Sequence, residues 1–297
     1  MTNEIQRLKT NVRAFIAKLC LRPISRLAPD LAAHWLERLF LATRRHRVPD
    51  REARWLASAE RSRFRSRGLD LATWTWGDGP AVLLAHGWEG RGSQLGAFVE
   101  PLVRAGFRVV TFDAPGHGAS PLSQSSLVEM ADAVVDAATH LGPFAGVIAH
   151  SAGAAATTIA LDRGATVGRA VFIAPPTDLG AFLRYVADHL GLHEGVADRT
   201  QRRIENRFGV SWDSLRLDEI APRMMTPILV IHDRDDREVG LENGLRLADL
   251  WPEAELVVTS GLGHRRILRA DEVIARATEF LEKTRVDPFV ASSLSLA

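Results

Sequence analysis

The segment that most constrains the fold covers residues 144–155 and reads FAGVIAHSAGAA. Its apolar first half predicts a short buried strand, and the small residues that follow allow a helix to begin at once. Ser151 stands between the two, with Ala149 and Gly153 two positions to either side. A strand that turns directly into a helix strains the backbone of the turn residue and leaves room only for small side chains nearby. The segment therefore predicts a strand, a tight turn at Ser151 and a helix.

Strands alternate with helical segments along the rest of the chain after residue 68. Runs that predict strands lie at residues 69–76, 81–85, 107–112, 170–174, 227–232 and 255–259. Most of the segments between them have a helical period and a length that suits right-handed crossovers. Strands connected in this way form a mostly parallel sheet with helices on both faces. The fold class that we expect is α/β, with a doubly wound, mostly parallel sheet.

Two segments do not follow this alternation. Residues 1–67 carry amphipathic helical patterns at 4–20 and 29–43, and an Arg-rich stretch at 50–65 that predicts a third helix. Residues 176–222 are too long for an ordinary connection and predict a short helical lid. We therefore expect five parts, which are an N-terminal helical extension (1–67), a core in two pieces (68–175 and 223–285), a lid insertion (176–222) and a tail (286–297).

The composition excludes several classes of protein. Cys20 is the one cysteine of the sequence, which rules out an internal disulfide framework and a cysteine-rich zinc site. A reducing compartment is the simpler interpretation, so we expect a cytoplasmic protein. No run of residues approaches the roughly 20 uncharged apolar positions that span a bilayer. We expect neither a metal nor a cofactor.

Basic residues are concentrated near the N-terminus although the net charge is only +1. Residues 1–67 hold 16 Lys and Arg against 6 Asp and Glu. No zinc motif or interleaved aromatic motif accompanies them, so we expect no nucleic-acid partner. Two interpretations stay open. The favoured one is a set of helices that pack on the core and show a solvated Arg face. The other is weak contact with an anionic membrane surface, which would make the protein peripheral to the membrane.

The turn at Ser151 has candidate chemical partners at the ends of two later strands. Serine is a poor nucleophile unless an adjacent base takes its proton, and a histidine base needs a carboxylate to fix its tautomer. In an open parallel sheet such groups gather at the carboxyl ends of the strands. Asp235 and Asp236 follow the strand at 227–232, with Glu238 close by, and His264 follows the strand at 255–259. The sequence thus predicts a serine, an acid and a histidine at one edge of the sheet.

The order of serine, acid and histidine resembles that of the α/β-hydrolase family, and the resemblance covers roughly residues 69–285. Residues 86–88 (HGW) are similar to the oxyanion loop of that family, and residues 112–120 (FDAPGHGAS) to its Asp-x-Pro-Gly-His-Gly-x-Ser turn. Three positions depart from the family pattern, and one of them is Gly240, which stands where the family often has proline. Ala149 replaces the usual glycine before the serine, and Asp233 replaces the glycine that usually ends the strand before the acid. The register of that strand end favours Asp236 over Asp235, with Glu238 third.

The resemblance implies acyl transfer to a serine. Ser151 would attack a carbonyl carbon, His264 would take its proton and Asp236 would orient His264. The backbone N–H groups of Trp88 and Ala152 would hold the oxyanion. The implied function is a serine hydrolase that cleaves a carboxylic ester or thioester of a small acyl substrate. An amidase, an acyltransferase, a carbon–carbon hydrolase and a non-catalytic ligand-binding protein on the same fold stay open as alternatives.

The neighbours of these residues receive secondary interpretations. The indole of Trp88 either lines the acyl pocket or packs in the core, and His150 either lines the pocket or supports the turn at Ser151. His86 and His117 are expected to hold loops through hydrogen bonds. Glu89 and Arg91 are expected either to pair with each other or to set the shape of their loop. Asp113 is expected to brace its own turn.

Overall fold

The computed structural model describes residues 22–283, which form two compact units. The smaller unit contains residues 22–42 and 178–214, and the larger unit contains residues 43–177 and 215–283. The helix predicted at 4–20, which includes Cys20, and the tail at 286–297 lie outside the described residues. Within residues 22–283, no helix is both long enough and apolar enough to cross a membrane.

The larger unit is built on one eight-stranded sheet. The strands are β1 (Glu60–Ser66), β2 (Leu69–Trp76), β3 (Ala81–Ala85), β4 (Arg108–Phe112), β5 (Phe144–His150), β6 (Val167–Ile173), β7 (Ile228–Asp233) and β8 (Ala254–Thr259). Their order across the sheet is β1-β2-β4-β3-β5-β6-β7-β8. The β1–β2 and β2–β4 pairs are antiparallel, and the remaining pairs are parallel. The predicted doubly wound, mostly parallel sheet is therefore confirmed.

The helices follow the strands in the expected alternation. They are α1 (Pro29–Leu41), α2 (Asp50–Ala57), α3 (Val99–Arg104), α4 (Leu127–Leu141), α5 (Ala152–Asp162), α6 (Leu179–Leu190), α7 (Val196–Phe208), α8 (Leu217–Ile220), α9 (Leu241–Leu250), α10 (Gly263–Arg266) and α11 (Asp271–Glu282). Residues 22–27 are also helical. Every residue of β3, β5 and β7 is buried, as expected for central strands covered on both faces.

One prediction for the N-terminal region is wrong. Residues 50–65 do not form a single helix, because α2 ends at Ala57 and β1 begins at Glu60. Phe64 of β1 is buried, and its ring meets that of Phe112 edge-on at 5.4 Å between centroids. Arg63 and Arg65 on the opposite face are exposed. This period of two favours a strand, and the many arginines hid it in the sequence.

The smaller unit packs α1 against α6 and α7. Ala32, Ala33 and Leu36 of α1 share one apolar cluster with buried residues of the other two helices, such as Leu183 and Ile204. The segment predicted as a lid supplies residues 178–214 of this unit, and its last residues belong to the larger unit. The segment predicted as the N-terminal extension is divided in the same way, with residues 22–42 here and residues 43–67 in the larger unit.

Candidate active site

The turn at Ser151 joins β5 directly to α5. Its backbone is held at φ 52° and ψ −124°, a left-handed conformation that is strained for a residue with a side chain. Gly153 is required two residues later, because a Cβ there would lie 2.5 Å from the carbonyl oxygen of His86. Ala149 is fully buried and pairs with Ala85 in β3. The methyl group of Ala149 is accommodated between Ala85 of β3 and Phe172 of β6, at a position where the family pattern has glycine.

His264 and Asp236 form a buried hydrogen-bonded pair. His264 Nδ1 donates to Asp236 Oδ2 at 2.6 Å. Asp236 Oδ1 accepts from the backbone N–H groups of Glu238 at 2.8 Å and Val239 at 2.9 Å. Burial would raise the pKa of Asp236, but the hydrogen bonds from His264 and the two N–H groups outweigh it and hold the pKa below its ordinary value. Asp236 is therefore ionised at neutral pH and fixes the tautomer of His264.

Asp235 and Glu238, the other candidate acids, have different partners. The Asp235 carboxylate is exposed and accepts from the backbone N–H of Gly261 at 2.7 Å. Glu238 is paired at the surface with Arg265 at 3.0 Å. Of the three acids, Asp236 is thus the one that the structure pairs with His264.

His150 links the turn at Ser151 to the backbone of His264. Its Nε2 donates to the His264 carbonyl at 2.9 Å, and the two rings lie 4.6 Å apart between centroids. Burial, with a further contribution from His264, lowers the pKa of His150 to about 3. His150 is therefore neutral at pH 7, with its one ring proton on Nε2. Among residues 22–283 no hydrogen bond joins the Ser151 hydroxyl to His264. In structures without substrate, catalytic hydrogen bonds of this kind are often long and shorten only when substrate binds.

The loop after β3, residues 86–92, lies against the turn at Ser151. A Cβ on Gly87 would lie 3.0 Å from the Ser151 Cβ. His86 holds the start of the loop, since its Nδ1 donates to the Gly87 carbonyl at 2.7 Å and its Nε2 accepts from the Ala114 N–H at 3.0 Å. Burial lowers the pKa of His86 to about 4, so this bonding pattern is that of the neutral ring. The loop is thus fixed beside the serine by short contacts.

The backbone N–H groups near Ser151 that have no acceptor within the described part of the chain include the two predicted oxyanion donors. They are those of Trp88 in the loop and of Ala152, the first residue of α5. A helix N-terminus leaves such donors free and favours negative charge there. The Trp88 side chain is half-buried, and its ring meets that of His117 edge-on at 5.3 Å. These are the two donors that the sequence predicts for an oxyanion.

Arg91 does not pair with Glu89. Its Nε donates to Glu52 Oε2 at 2.7 Å, and both side chains of this ion pair are buried. Glu89 is partly exposed and lies 3.9 Å from Arg44. Of the two interpretations, pairing of Glu89 with Arg91 is therefore wrong, because the two side chains have different partners. Asp113 braces the same region, since it accepts from the backbone N–H of Gly92 at 2.8 Å.

The structure adds two residues at the end of β7 that contact the acid loop (residues 234–240) and the histidine loop (residues 260–264). Asp233 accepts from Thr259 Oγ1 at 2.7 Å and from the N–H groups of Gly263 at 2.8 Å and Leu262 at 3.1 Å. His232 is fully buried, with its Nε2 3.7 Å from Asp236 Oδ2. The sequence marked Asp233 only as a departure from the family pattern. Nothing in it distinguished His232 from an ordinary strand residue.

Metal-ligating side chains are not clustered. Within residues 22–283, no group of three or more His, Cys, Asp or Glu side chains could hold a metal ion.

The alpha/beta hydrolase family model matches residues 82–277, more than half of the chain. The chain therefore belongs to the α/β-hydrolase family, and the family and fold expected from the sequence are confirmed. The 2-hydroxy-6-oxononadienedioate/2-hydroxy-6-oxononatrienedioate hydrolase 1 of Dechloromonas aromatica is 28% identical over 66% of this chain and 81% of its own length.

A second relative matches over a shorter stretch. The pimeloyl-(acyl-carrier protein) methyl ester esterase of Methylococcus capsulatus is 47% identical over 64 residues, which are 21% of this chain and 25% of the esterase. Among solved structures, a thermophilic esterase from Thermogutta terrifontis superposes with a TM-score of 0.58 at 20% identity, covering 76% of this chain and 99% of the esterase. These similarities support a hydrolase of the α/β fold.

Proposed function

We propose that this protein is a serine hydrolase that cleaves a carboxylic ester or thioester through an acyl-enzyme on Ser151. The observation that carries the proposal is the 2.6 Å hydrogen bond from His264 Nδ1 to Asp236. This bond keeps the proton on Nδ1 and leaves Nε2 unprotonated, and only that tautomer can accept a proton from a serine hydroxyl. A buried His–Asp pair with an ionised carboxylate is therefore prepared for general-base catalysis.

In the first step, the Ser151 oxygen attacks the ester carbonyl carbon while His264 Nε2 takes the hydroxyl proton. The carbonyl oxygen becomes an oxyanion, to which the N–H groups of Trp88 and Ala152 would donate hydrogen bonds. One such donor is typically worth about 3–4 kcal/mol of transition-state stabilisation. His264 then gives its proton to the leaving alkoxide or thiolate. Water attacks the acyl-enzyme in the reverse sequence and restores the Ser151 hydroxyl.

The side chains nearest to the serine favour an uncharged acyl group. Gly87 lies against Ser151, since a Cβ there would be 3.0 Å from the Ser151 Cβ, and His150, the residue before the serine, is neutral at pH 7. Neither of them offers a positive charge. We assign the Trp88 indole to the acyl pocket. We assign His150 to the support of His264, because its ring proton is already used there.

Carbon–carbon hydrolysis is the second candidate. The 28% identity to 2-hydroxy-6-oxononadienedioate/2-hydroxy-6-oxononatrienedioate hydrolases of Dechloromonas aromatica and Paraburkholderia xenovorans favours it. A dioate substrate carries two negative charges, whereas neither Gly87 nor the neutral His150 beside Ser151 carries a positive charge to bind them. This difference is why we place ester cleavage first.

The test is a panel of p-nitrophenyl esters with acyl chains of two to twelve carbons, one thioester, and one 2-hydroxy-6-oxo dienoate. Each substrate is assayed with wild type, Ser151→Ala and the control Ser214→Ala, which alters an exposed serine. We expect wild type and the control to hydrolyse an ester and to react with a fluorophosphonate probe. Ser151→Ala is expected to do neither. Cleavage of the dienoate alone would favour the second candidate, and residual esterase activity or labelling in Ser151→Ala would reject Ser151 as the nucleophile.

A further inference from the structure

A buried ion pair joins α2 to the loop that carries Trp88. Glu52 of α2 and Arg91 are 4% and 8% exposed, and Arg91 Nε donates to Glu52 Oε2 at 2.7 Å. Ser93 Oγ donates to the same carboxylate oxygen at 2.8 Å. Glu52 lies outside residues 82–277, which the family model matches. The carboxylate therefore comes from a segment before the matched range.

Such a pair is poorly explained as a source of stability. Two charges lose their hydration when they are buried, and their attraction often only compensates this loss. A buried pair does, however, fix geometry, because moving either partner would leave the other charge unpaired. Its position is therefore the informative property.

The pair holds the far end of the loop at residues 86–92. His86 fixes the near end, while the N–H of Gly90 donates to the Gly87 carbonyl at 3.0 Å and closes a turn around Trp88. Arg91 follows this turn at once. Without Glu52, Arg91, which directly follows the turn, would lose its side-chain anchor.

Helix α2 is itself seated firmly against this region. A Cβ on Gly96, in the 3₁₀ turn Gly92–Phe98 that follows the loop, would overlap the Trp55 indole. Trp76 Nε1 of β2 donates to the Trp55 carbonyl at 3.1 Å and to Ser58 Oγ at 3.2 Å. The helix is therefore a rigid support from which Glu52 can act.

We propose that Glu52 is a positioning residue, which acts through Arg91 to hold the Trp88 backbone N–H where it can meet the oxyanion. This inference rests on the proposed serine hydrolase function. A displacement of about 1 Å in catalytic geometry can cost on the order of 100-fold in rate. Helix α2, which precedes the family-matched residues, is then part of the catalytic apparatus.

The test compares Glu52→Gln with Glu37→Gln, measured on the best p-nitrophenyl ester. Glu37 is a matched control, because its 7% exposed side chain pairs with Arg203 at 2.7 Å in the smaller unit. A trifluoromethyl ketone with the same acyl chain serves as the second readout. Its adduct with the serine places an oxyanion between the backbone donors, so its inhibition constant reports their position.

We expect Glu52→Gln to lower kcat by about 10–100-fold with KM within about twofold, and to weaken inhibition by the ketone by a similar factor. Glu37→Gln should change both by less than about threefold, although both variants lower Tm. The double variant Glu52→Gln/Arg91→Gln removes the unpaired charge and should recover Tm without recovering kcat. It also decides the matter if Glu52→Gln does not fold.

The outcomes separate this inference from the proposed function. A folded Glu52 variant with wild-type kcat and wild-type ketone inhibition would overturn the positioning role while esterase activity stands. Equal losses of kcat in Glu52→Gln and Glu37→Gln would overturn it as well, since the effect would then be one of general stability. A wild type that hydrolyses no ester would overturn the proposed function and the positioning role together.

Discussion

Asp236→Asn is expected to inactivate the enzyme while leaving the fold intact. In the native structure one carboxylate oxygen accepts two backbone N–H groups, and the other accepts the proton of His264 Nδ1. An asparagine fits the same space, with its oxygen on the two N–H groups and its NH₂ facing His264. His264 Nδ1 must then act as an acceptor. The ring proton moves to Nε2, and the base can no longer accept the proton of Ser151.

The size of the effect follows from the alternative orientation. Flipping the amide would restore the productive tautomer but would aim an NH₂ at two buried N–H groups. Each donor left unsatisfied costs about 1–3 kcal/mol, so the productive form lies about 2–6 kcal/mol higher. At about 1.4 kcal/mol per tenfold this is a loss of kcat/KM between about 30-fold and about 10⁴-fold. Loss of the carboxylate charge acts in the same direction, so we expect the upper half of that range.

The assay is ester hydrolysis by Asp236→Asn, wild type and Asp235→Asn, with circular dichroism to check the fold. Asp235→Asn is the matched control, because it changes the adjacent aspartate, whose exposed carboxylate meets only the Gly261 N–H among its described contacts. The control should keep kcat/KM within about fivefold. The reasoning is refuted if Asp236→Asn stays within tenfold of wild type, or if Asp235→Asn loses more activity than Asp236→Asn.

Three further substitutions test the surroundings of the site. Gly153→Ala places a methyl group 2.5 Å from the His86 carbonyl and should lower stability by about 1–3 kcal/mol, so an unchanged urea midpoint would contradict it. His150→Phe leaves the His264 carbonyl without its donor and should lower both kcat and Tm; wild-type values of both would reject the support role. Burial lowers the pKa of His117 from 6.5 to about 3, so the folded protein binds fewer protons than the unfolded chain between these values. The stability that a neutral His117 contributes is therefore complete above pH 6.5 and is lost toward pH 3. In His117→Asn, the change in the urea-derived free energy of unfolding over that range should be smaller by roughly 3–5 kcal/mol. An equal pH dependence in wild type and variant would contradict this.

Local sequence patterns were sufficient to predict most of the fold and the central residues of the site. The turn at Ser151 was predictable, because a strained strand-to-helix turn admits only small neighbours, and the sequence shows them at 149 and 153. The choice between Asp235 and Asp236 could not be made from a local pattern. Both follow the same strand, and the family register, rather than composition or spacing, favoured the residue that the structure pairs with His264.

Contacts between distant segments could not be predicted in the same way. Glu52 and Arg91 are 39 positions apart, and nothing in either local sequence indicates that the two are buried together. Strand β1 was missed for another reason. Its exposed arginines alternate with the residues that pack inward, and the excess of charge concealed a period of two that a more apolar strand would have displayed.

Asp233 makes the acid loop and the histidine loop exchangeable only as a pair. Its carboxylate receives bonds from Asp235 N–H at 3.0 Å on one loop and from Leu262 and Gly263 on the other. A chimaera that replaced one loop alone would leave either a buried carboxylate short of donors or two N–H groups short of an acceptor. Productive recombination with another family member therefore needs its breakpoints before β7 and after α10. Asp236 and His264 would then be exchanged together, and Ser151 could be matched to them separately.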